Sequence, residues 1–125
     1  MILIKDWMSK KIATVTESQT ILDAVKLMDK QNIGSVVVVQ GKKPVGILTE
    51  RDMLRKVMAK GKEPKTILIK EVMTPNPKML SEDATLLDVT KLMNKYGFRH
   101  IIIINAAGDL SGMVTAKDLI KLVSV

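Results

Sequence analysis

The order of apolar and polar residues predicts one short folding unit that occurs twice along the chain. Each occurrence starts with a brief apolar stretch, at positions 13–15 and again at 79–80. A segment with apolar residues every three or four positions follows, and Lys and Asp lie between them. The apolar positions are Ile21, Ala24, Val25 and Met28 in the first occurrence and Leu86, Val89, Leu92 and Met93 in the second. This spacing predicts amphipathic helices of about three turns with one face on a core.

Unbroken runs of β-branched residues come next, Val at 36–39 and Ile at 101–104. Runs without polar alternation are typical of short strands that are covered on both faces. Turn-forming residues follow each run, so we expect it to pair back with the next apolar run as a hairpin. These partner runs lie at 45–48 and 110–114.

A second helix is predicted at 50–59 and at 116–123, so the unit is β-α-β-β-α. The two copies are also related residue by residue. With an offset of 65, 11 of the 37 pairs that start at positions 4–40 are identical, whereas average composition predicts identity at about 6 % of pairs by chance. The predicted organisation is a first repeat at 1–59, a linker at 60–67 and a second repeat at 68–125. Each repeat is small for independent stability, so we expect the two to share a core.

Composition narrows the possible chemistry. The chain has no cysteine and one histidine, which excludes disulfides, thiol catalysis and multi-histidine metal sites, so no metal site is predicted. No nucleophile motif surrounds the histidine and no phosphate-loop glycine pattern occurs, so the chain is not predicted to be an enzyme. The start lacks the pattern of a leader and no window approaches a membrane span; with the absence of cysteine, this favours a cytoplasmic location and no membrane partner.

The formal charge is +7, from 20 basic and 13 acidic residues, and it favours anionic partners. The basic residues are spread along the chain and aromatic residues make up only 2 %. A solvated lysine-rich surface is therefore favoured over a nucleic-acid face, which needs aromatic side chains for stacking. A basic adaptor that binds nucleic acid or a protein partner is the alternative interpretation.

One site-like pattern, Gly-x-x-Thr-x-x-Asp, closes the last strand of both repeats. Its residues are Gly46, Thr49 and Asp52 in the first repeat and Gly112, Thr115 and Asp118 in the second. Thr followed three positions later by an acid predicts a capping box at a helix start. The same junction offers free N–H groups to an anion, and the Asp would face a neutral hydroxyl pair such as that of ribose. We expect the two roles to exclude each other for one carboxylate.

The duplicated β-α-β-β-α unit, the methionine before each first loop (Met8 and Met73) and the closing Gly-x-x-Thr-x-x-Asp resemble a pair of cystathionine β-synthase (CBS) domains, the Bateman module. The resemblance covers essentially the whole chain. It implies an α+β, sandwich-like fold in which two repeats pack about a pseudo-twofold axis. It also implies a regulatory protein that binds AMP, ADP, ATP or S-adenosylmethionine in clefts between the repeats, signals occupancy to a partner protein and commonly pairs as a homodimer.

In that family each cleft takes residues from both repeats. The resemblance places the preferred nucleotide site at Lys11, Ala13, Ile33, Gly34, Ser35, His100, Thr115, Lys117 and Asp118. A second cleft would use Thr49, Arg51, Asp52, Lys78, Phe98 and Arg99. The small side chains at Ala13 and Gly34 leave room for a purine, whereas their counterparts Lys78 and Arg99 are bulky, so we expect the ligand in the Asp118 cleft.

Arg99 and His100 replace Gly34 and Ser35 of the first repeat. Near a phosphate-bearing ligand they would be donors, which would favour phosphorylated adenosines, although a lone histidine before an apolar strand is also typical of a structural residue. The prediction is a stand-alone regulatory module with an adenosine ligand, no catalytic cofactor and an unidentified regulated partner. A homodimer is expected through spare apolar residues of the second helix, namely Met53, Leu54, Val57 and Met58.

Overall fold

The computed structural model describes residues 2–123 and has a mixed α+β architecture. The first repeat contains β1 (Thr14–Val15), α1 (Ile21–Gln31), β2 (Ser35–Gln40), β3 (Lys43–Thr49), α2 (Glu50–Asp52) and a π-helical segment (Met53–Met58). The second contains β4 (Thr74–Pro75), β5 (Met79–Ser81), α3 (Leu86–Tyr96), β6 (His100–Ile104), β7 (Leu110–Thr115) and α4 (Ala116–Val123). These elements confirm the α+β class and the β-α-β-β-α order. The first residue of the predicted first repeat and the last two of the second lie outside the described residues.

The second helix of the first repeat differs from the prediction of one α-helix at 50–59. After Asp52 the backbone winds more widely, and the amide of Ala59 donates to the carbonyl of Leu54, five residues earlier, at 2.8 Å. Apolar residues four positions apart, such as Met53 and Val57, suit either winding. Hydrophobic periodicity therefore does not separate the two helix types here.

The chain forms two compact units, and their boundaries differ from those of the repeats at the opening segment of each repeat. The first unit consists of residues 13–77, and the second unit consists of residues 1–12 together with 78–125. The opening segment of each repeat thus belongs to the compact unit that is otherwise built by the other repeat. Each unit has a buried cluster of its own, and each cluster includes residues of both repeats, so the repeats share their core packing as expected from their small size.

In the first unit a sheet has the order β1-β2-β3-β4. Strand β1 runs parallel to β2, and the other neighbours are antiparallel. The core includes Ile21 and Val36 and also Ile69 and Val72, which come from the opening segment of the second repeat. Ile69 is fully buried and its amide donates to the carbonyl of Gln19 at 2.8 Å.

In the second unit the sheet order is β5-β6-β7, with β5 parallel to β6 and β6 antiparallel to β7. Ile4, in the 3₁₀ turn Ile4–Asp6, is fully buried in this core together with Val89 and Ile101. Its amide donates to the carbonyl of Ala84 at 2.9 Å. Residues at the start of the chain therefore complete the second unit.

Helix ends follow local sequence rules in both units. Thr20 and Thr85 cap α1 and α3, each with an aspartate three positions on that returns a hydrogen bond to the cap amide. Asn32 and Gly97 end the same helices in the left-handed conformation, at φ 53° and 71°. These local interactions set the residues at which α1 and α3 begin and end.

Candidate functional site

The strand-to-helix junctions at Thr49 and Thr115 have the same hydrogen-bonded frame. The Thr49 amide donates to Asp52 Oδ2 at 2.9 Å and the Asp52 amide donates to Thr49 Oγ1 at 3.3 Å. The corresponding distances at Thr115 and Asp118 are 2.8 and 3.2 Å. The predicted capping boxes are confirmed at both junctions.

Each of these caps uses only one oxygen of its carboxylate, Oδ2, as acceptor for the threonine amide. Oδ1 of the same rotamer has lone pairs of its own, so the expected exclusion between capping and hydroxyl recognition does not follow from the cap alone. Within residues 2–123, Oδ1 of Asp118 has no hydrogen-bond or ion-pair partner. No buried side-chain oxygen among these residues lacks a hydrogen-bond partner, so Oδ1 of the half-buried Asp118 is accessible to solvent.

At the first junction both oxygens of Asp52 are engaged. The Lys56 ammonium lies 3.2 Å from Asp52 Oδ1, and the Thr49 hydroxyl donates to Asp52 Oδ2 at 3.2 Å. The Asp52 side chain is only 14 % exposed. The residue of the second repeat that corresponds to Lys56 is Leu122, which has no charge to pair with Asp118.

Lys56 is held by more than the ion pair. Its Nζ donates to the carbonyl oxygen of Val72 at 3.2 Å and to Thr74 Oγ1 at 3.4 Å. With Asp52, these acceptors match the three donors of an ammonium group. Sequence reasoning missed Lys56, although the Lys-to-Leu difference between the repeats at this position is visible in the aligned sequences.

The start of the second strand lies beside each junction within the same unit. The Glu50 amide donates to the carbonyl of Gly34 at 3.0 Å, and Ser35 pairs with Thr49 across the sheet. A Cβ at position 34 would overlap with the Glu50 carboxylate. Packing against Glu50 thus accounts for a small residue at position 34, where the sequence suggested room for a purine, and Ala116 takes the place of Glu50 in the second repeat.

In the second unit the corresponding contacts bring Arg99 and His100 to the Asp118 junction. The Ala116 amide donates to the carbonyl of Arg99 at 3.0 Å, and His100 pairs with Thr115 in the sheet. Lys117 and Arg99 are exposed, and His100 is half-buried. A carboxylate acceptor and basic side chains thus share one edge of this unit, as recognition of a hydroxyl-bearing anionic ligand needs.

The other predicted site residues are divided between the units. Lys11 is exposed in the second unit, Arg51 is exposed on α2 of the first, and Ile33 packs partly against the first core. Ala13 is 5 % exposed and belongs to that core, where its carbonyl accepts from the Val37 amide. Membership of one nucleotide site remains a prediction for this set of residues.

Lys78 and Phe98, predicted for the second cleft, lie beside Tyr96 in the second unit. The Tyr96 and Phe98 ring centroids are 5.6 Å apart, and Lys78 Nζ lies 5.5 Å from the Tyr96 centroid. A groove of about 370 Å³ runs between β5 and α3, and it is lined by Lys78, Leu80, Asp88, Lys91, Leu92, Lys95 and Tyr96. Its cationic side chains outnumber its single carboxylate.

Asp88 in this groove also caps α3. The hydrogen bonds from the backbone amide and the side chain of Thr85 lower the pKa of Asp88, and the nearby Lys91 charge acts in the same direction. Across residues 2–123 no group of three or more metal-ligating side chains occurs. No helix within the same residues has the length and apolar character of a membrane span.

Comparison with known proteins relates this arrangement to a described family. A sequence profile for the CBS domain matches residues 4–59 and 69–125. An uncharacterized protein of Methanopyrus kandleri is 33 % identical over 113 residues, which are 90 % of this chain and 58 % of that protein. The chain spans 18–20 % of two CBS domain-containing proteins of Arabidopsis thaliana.

Solved structures resemble the chain over nearly its whole length. An uncharacterized conserved protein from Pyrococcus horikoshii has a TM-score of 0.90 at 29 % identity, with 99 % of this chain and 93 % of that chain covered. The domain pair of protein MJ0100, solved with 5′-methylthioadenosine and S-adenosyl-L-methionine, has a TM-score of 0.87 at 31 % identity, with coverages of 98 % and 95 %.

Proposed function

The chain belongs to the CBS-domain family, and on that premise we propose that it is a regulatory module that binds an adenosine-containing ligand at the Asp118 junction. The observation that carries the proposal is the half-buried Asp118 carboxylate, which caps α4 with Oδ2 and keeps Oδ1 available within the described residues. Ribose presents two neighbouring hydroxyl donors, and a carboxylate oxygen is the acceptor that suits them.

The basic side chains around the junction extend the proposal to ligands with phosphate. Arg99 and Lys117 are exposed beside Thr115, and charge-assisted hydrogen bonds to phosphate are stronger than neutral ones. AMP, ADP and ATP are therefore expected to bind more tightly than S-adenosylmethionine. The adenosine compounds in the MJ0100 domain pair support the class of ligand, while the roles of Lys11, Ala13, Ile33, Gly34 and Ser35 stay predictions.

Thermal unfolding with AMP, ATP and S-adenosylmethionine at millimolar concentration tests the proposal. A ligand at a hundredfold excess over its Kd stabilises the folded protein by about 2.7 kcal/mol, which raises the melting temperature measurably. Asp118→Asn keeps an oxygen acceptor for the cap and replaces the outward oxygen, Oδ1, by an NH₂ group. It should weaken binding by about tenfold or more, because hydrogen bonds to charged groups contribute about 1.5–3 kcal/mol.

Asp23→Asn is the matched control, because Asp23 caps α1 with the same Thr-x-x-Asp frame. This variant should bind as the unmodified protein does. Melting curves that none of the three ligands shifts, or equal loss of binding in both variants, would count against the proposal.

A homodimer that signals occupancy to a regulated protein is the second part of the proposal. Leu54 and Met58 in the first unit are 63 % and 65 % exposed, and Ile120 in the second is 63 % exposed. Val57 and Met53, also named from the sequence, pack into the first core instead. Light scattering should show a dimer, and Leu54→Glu with Met58→Glu should yield monomers that still unfold cooperatively.

A second candidate function, binding of single-stranded nucleic acid, is favoured by the groove between β5 and α3. Lys78 and Lys95 lie 5.5 and 5.1 Å from the Tyr96 ring centroid, and Tyr96 is 53 % exposed next to Phe98. Lysines beside exposed rings suit a strand that stacks its bases and places its phosphates on cations. The sequence alone does not show this grouping, because position 78 is distant from 95 along the chain.

The duplication provides a matched control for this candidate. Lys91 and Lys95 correspond to Lys26 and Lys30 of α1, which has Gln31 in place of Tyr96. Lys91→Gln with Lys95→Gln should weaken binding to a labelled uridine 10-mer by about tenfold at low salt. Lys26→Gln with Lys30→Gln removes the same charge, so equal losses in the two double variants would indicate attraction to net charge and would contradict a specific groove.

A further inference from the structure

The two repeats differ at a position that decides the chemistry of their junctions. Both have Thr and Asp at the helix start, yet the residue four positions after the Asp is Lys56 in the first repeat and Leu122 in the second. The acceptors that hold Lys56 come from Val72 and Thr74. The two capping frames match, so the junctions differ in the side chains around them, and Lys56 is the one that pairs with the capping aspartate.

Lys56 pairs with the carboxylate that a ribose would bind at this junction. Its ammonium occupies the outward oxygen of Asp52 at 3.2 Å, and the Thr49 hydroxyl donates its only proton to the other oxygen. A hydroxyl pair arriving at this junction would have to displace the ammonium from the carboxylate. In the second unit the outward oxygen of Asp118 has no such occupant within the described residues.

We infer that Lys56 is a built-in occupant of the Asp52 junction and restricts each chain to one adenosine ligand, at Asp118. The inference rests on the proposed function, and it goes further by naming the residue that prevents ligand binding at the Asp52 junction. Lys56 acts here as a specificity-determining residue. Its ammonium group takes the position on Asp52 that the ligand's hydroxyl donors would otherwise occupy.

The second unit retains counterparts of the groups that hold Lys56. Trp7 corresponds to Val72, and Ser9 keeps a hydroxyl where Thr74 has one. Ser9 pairs with Met113 in the way that Thr74 pairs with Ile47. A lysine introduced at position 122 would therefore have comparable acceptors, so the proposed occupant can be moved between the repeats.

Calorimetric titration with AMP and ATP tests the inference through two exchanges. The unmodified protein should bind one ligand per chain, and Lys56→Leu should bind two. Leu122→Lys should raise the Kd at Asp118 by about fivefold or more, because a hydroxyl ligand must displace a charged donor. Lys60→Leu, which removes an exposed lysine, and Leu122→Gln, which adds a polar group without charge, should bind as the unmodified protein does.

Each other outcome counts against the inference in a distinguishable way. Two ligands on the unmodified chain, or one on Lys56→Leu, would show that Lys56 does not close the junction while the proposed function stands. Weaker binding by Lys56→Leu would show instead that Lys56 holds the ligand. If neither the unmodified chain nor Lys56→Leu binds, the proposed function and the inference both fail. Circular dichroism of every variant confirms folding. The result for Lys56→Leu and the result for Leu122→Lys do not depend on each other.

Discussion

Met8 packs its sulfur directly on Gly112, so closely that a Cβ at position 112 would overlap with it. Met73 and Gly46 have the same relationship in the first unit. The glycine of Gly-x-x-Thr-x-x-Asp is therefore explained by packing: the opening segment of one repeat lies against the last strand of the other. The motif's threonine and aspartate serve the helix start, while its glycine makes room for a methionine.

Gly112→Ala should lower the free energy of unfolding by about 1–3 kcal/mol, because overpacking of a closely packed site has that cost. Urea denaturation measures the change. In a Met8→Ala background the added methyl group no longer meets the methionine side chain and, of its nearest neighbours, only the Ser9 carbonyl oxygen stays close, so the effect of Gly112→Ala should be smaller. Equal effects in both backgrounds would show that the contact with Met8 is not the cause.

The opening segment should contribute strongly to the stability of the second unit. Ile4→Ala removes most of a fully buried side chain and should cost about 2–5 kcal/mol. Ile2→Ala is the control, because Ile2 is 46 % exposed and a surface substitution usually changes stability by less than about 0.5 kcal/mol. A similar midpoint of urea unfolding for the two variants would contradict the packing of Ile4.

Thr85→Ala should destabilise the protein by about 1 kcal/mol, because it removes the acceptor for the Asp88 amide at the start of α3. Thermal unfolding at neutral pH measures this loss. Thr90→Ala, which removes a hydroxyl that bonds to the Leu87 carbonyl inside the helix, is the matched comparison and should have the smaller effect. The reverse order would show that the cap is not stabilising.

Stability should also depend on pH through Asp88. Its hydrogen bonds from Thr85 and the Lys91 charge lower its pKa in the folded protein. A carboxyl with a lowered folded pKa stabilises the protein above its unfolded pKa, and this contribution is lost as the pH falls through the folded pKa. The difference in unfolding free energy between the unmodified protein and Asp88→Asn should therefore narrow on acidification. Asp29→Asn, which removes the same charge elsewhere on the surface, identifies effects of net charge, and a difference that stays constant down to acid pH would contradict the assignment.

The elements of the fold were predictable because the signals that set them are local. The helical spacing around Ala24 and Val89, the β-branched runs and the turns between strands act within a few residues of each other. The Thr-x-x-Asp caps have the same short range, as the three-residue separations at Thr49 and Thr115 show. Both the order of elements and the capping frames therefore follow from sequence.

The chemical difference between the two junctions was harder to predict from the sequence. Lys56 contacts Val72 and Thr74, which are 16 and 18 residues away along the chain. From the sequence, the difference was predicted to arise from the small residues Ala13 and Gly34 and their bulky counterparts Lys78 and Arg99. The structure places Ala13 in a core and Gly34 beside Glu50. Residue size alone does not reveal which neighbour occupies the space.

Periodicity and capping need only neighbouring residues, so the duplication, the two β-α-β-β-α repeats and the helix starts follow from local sequence. Only packing in three dimensions brings Ile4 and Met8 into the second unit and places Lys56 on Asp52, while Oδ1 of Asp118 has no partner within residues 2–123. Those outcomes depend on segments that are far apart in the chain, and packing in three dimensions selects their partners.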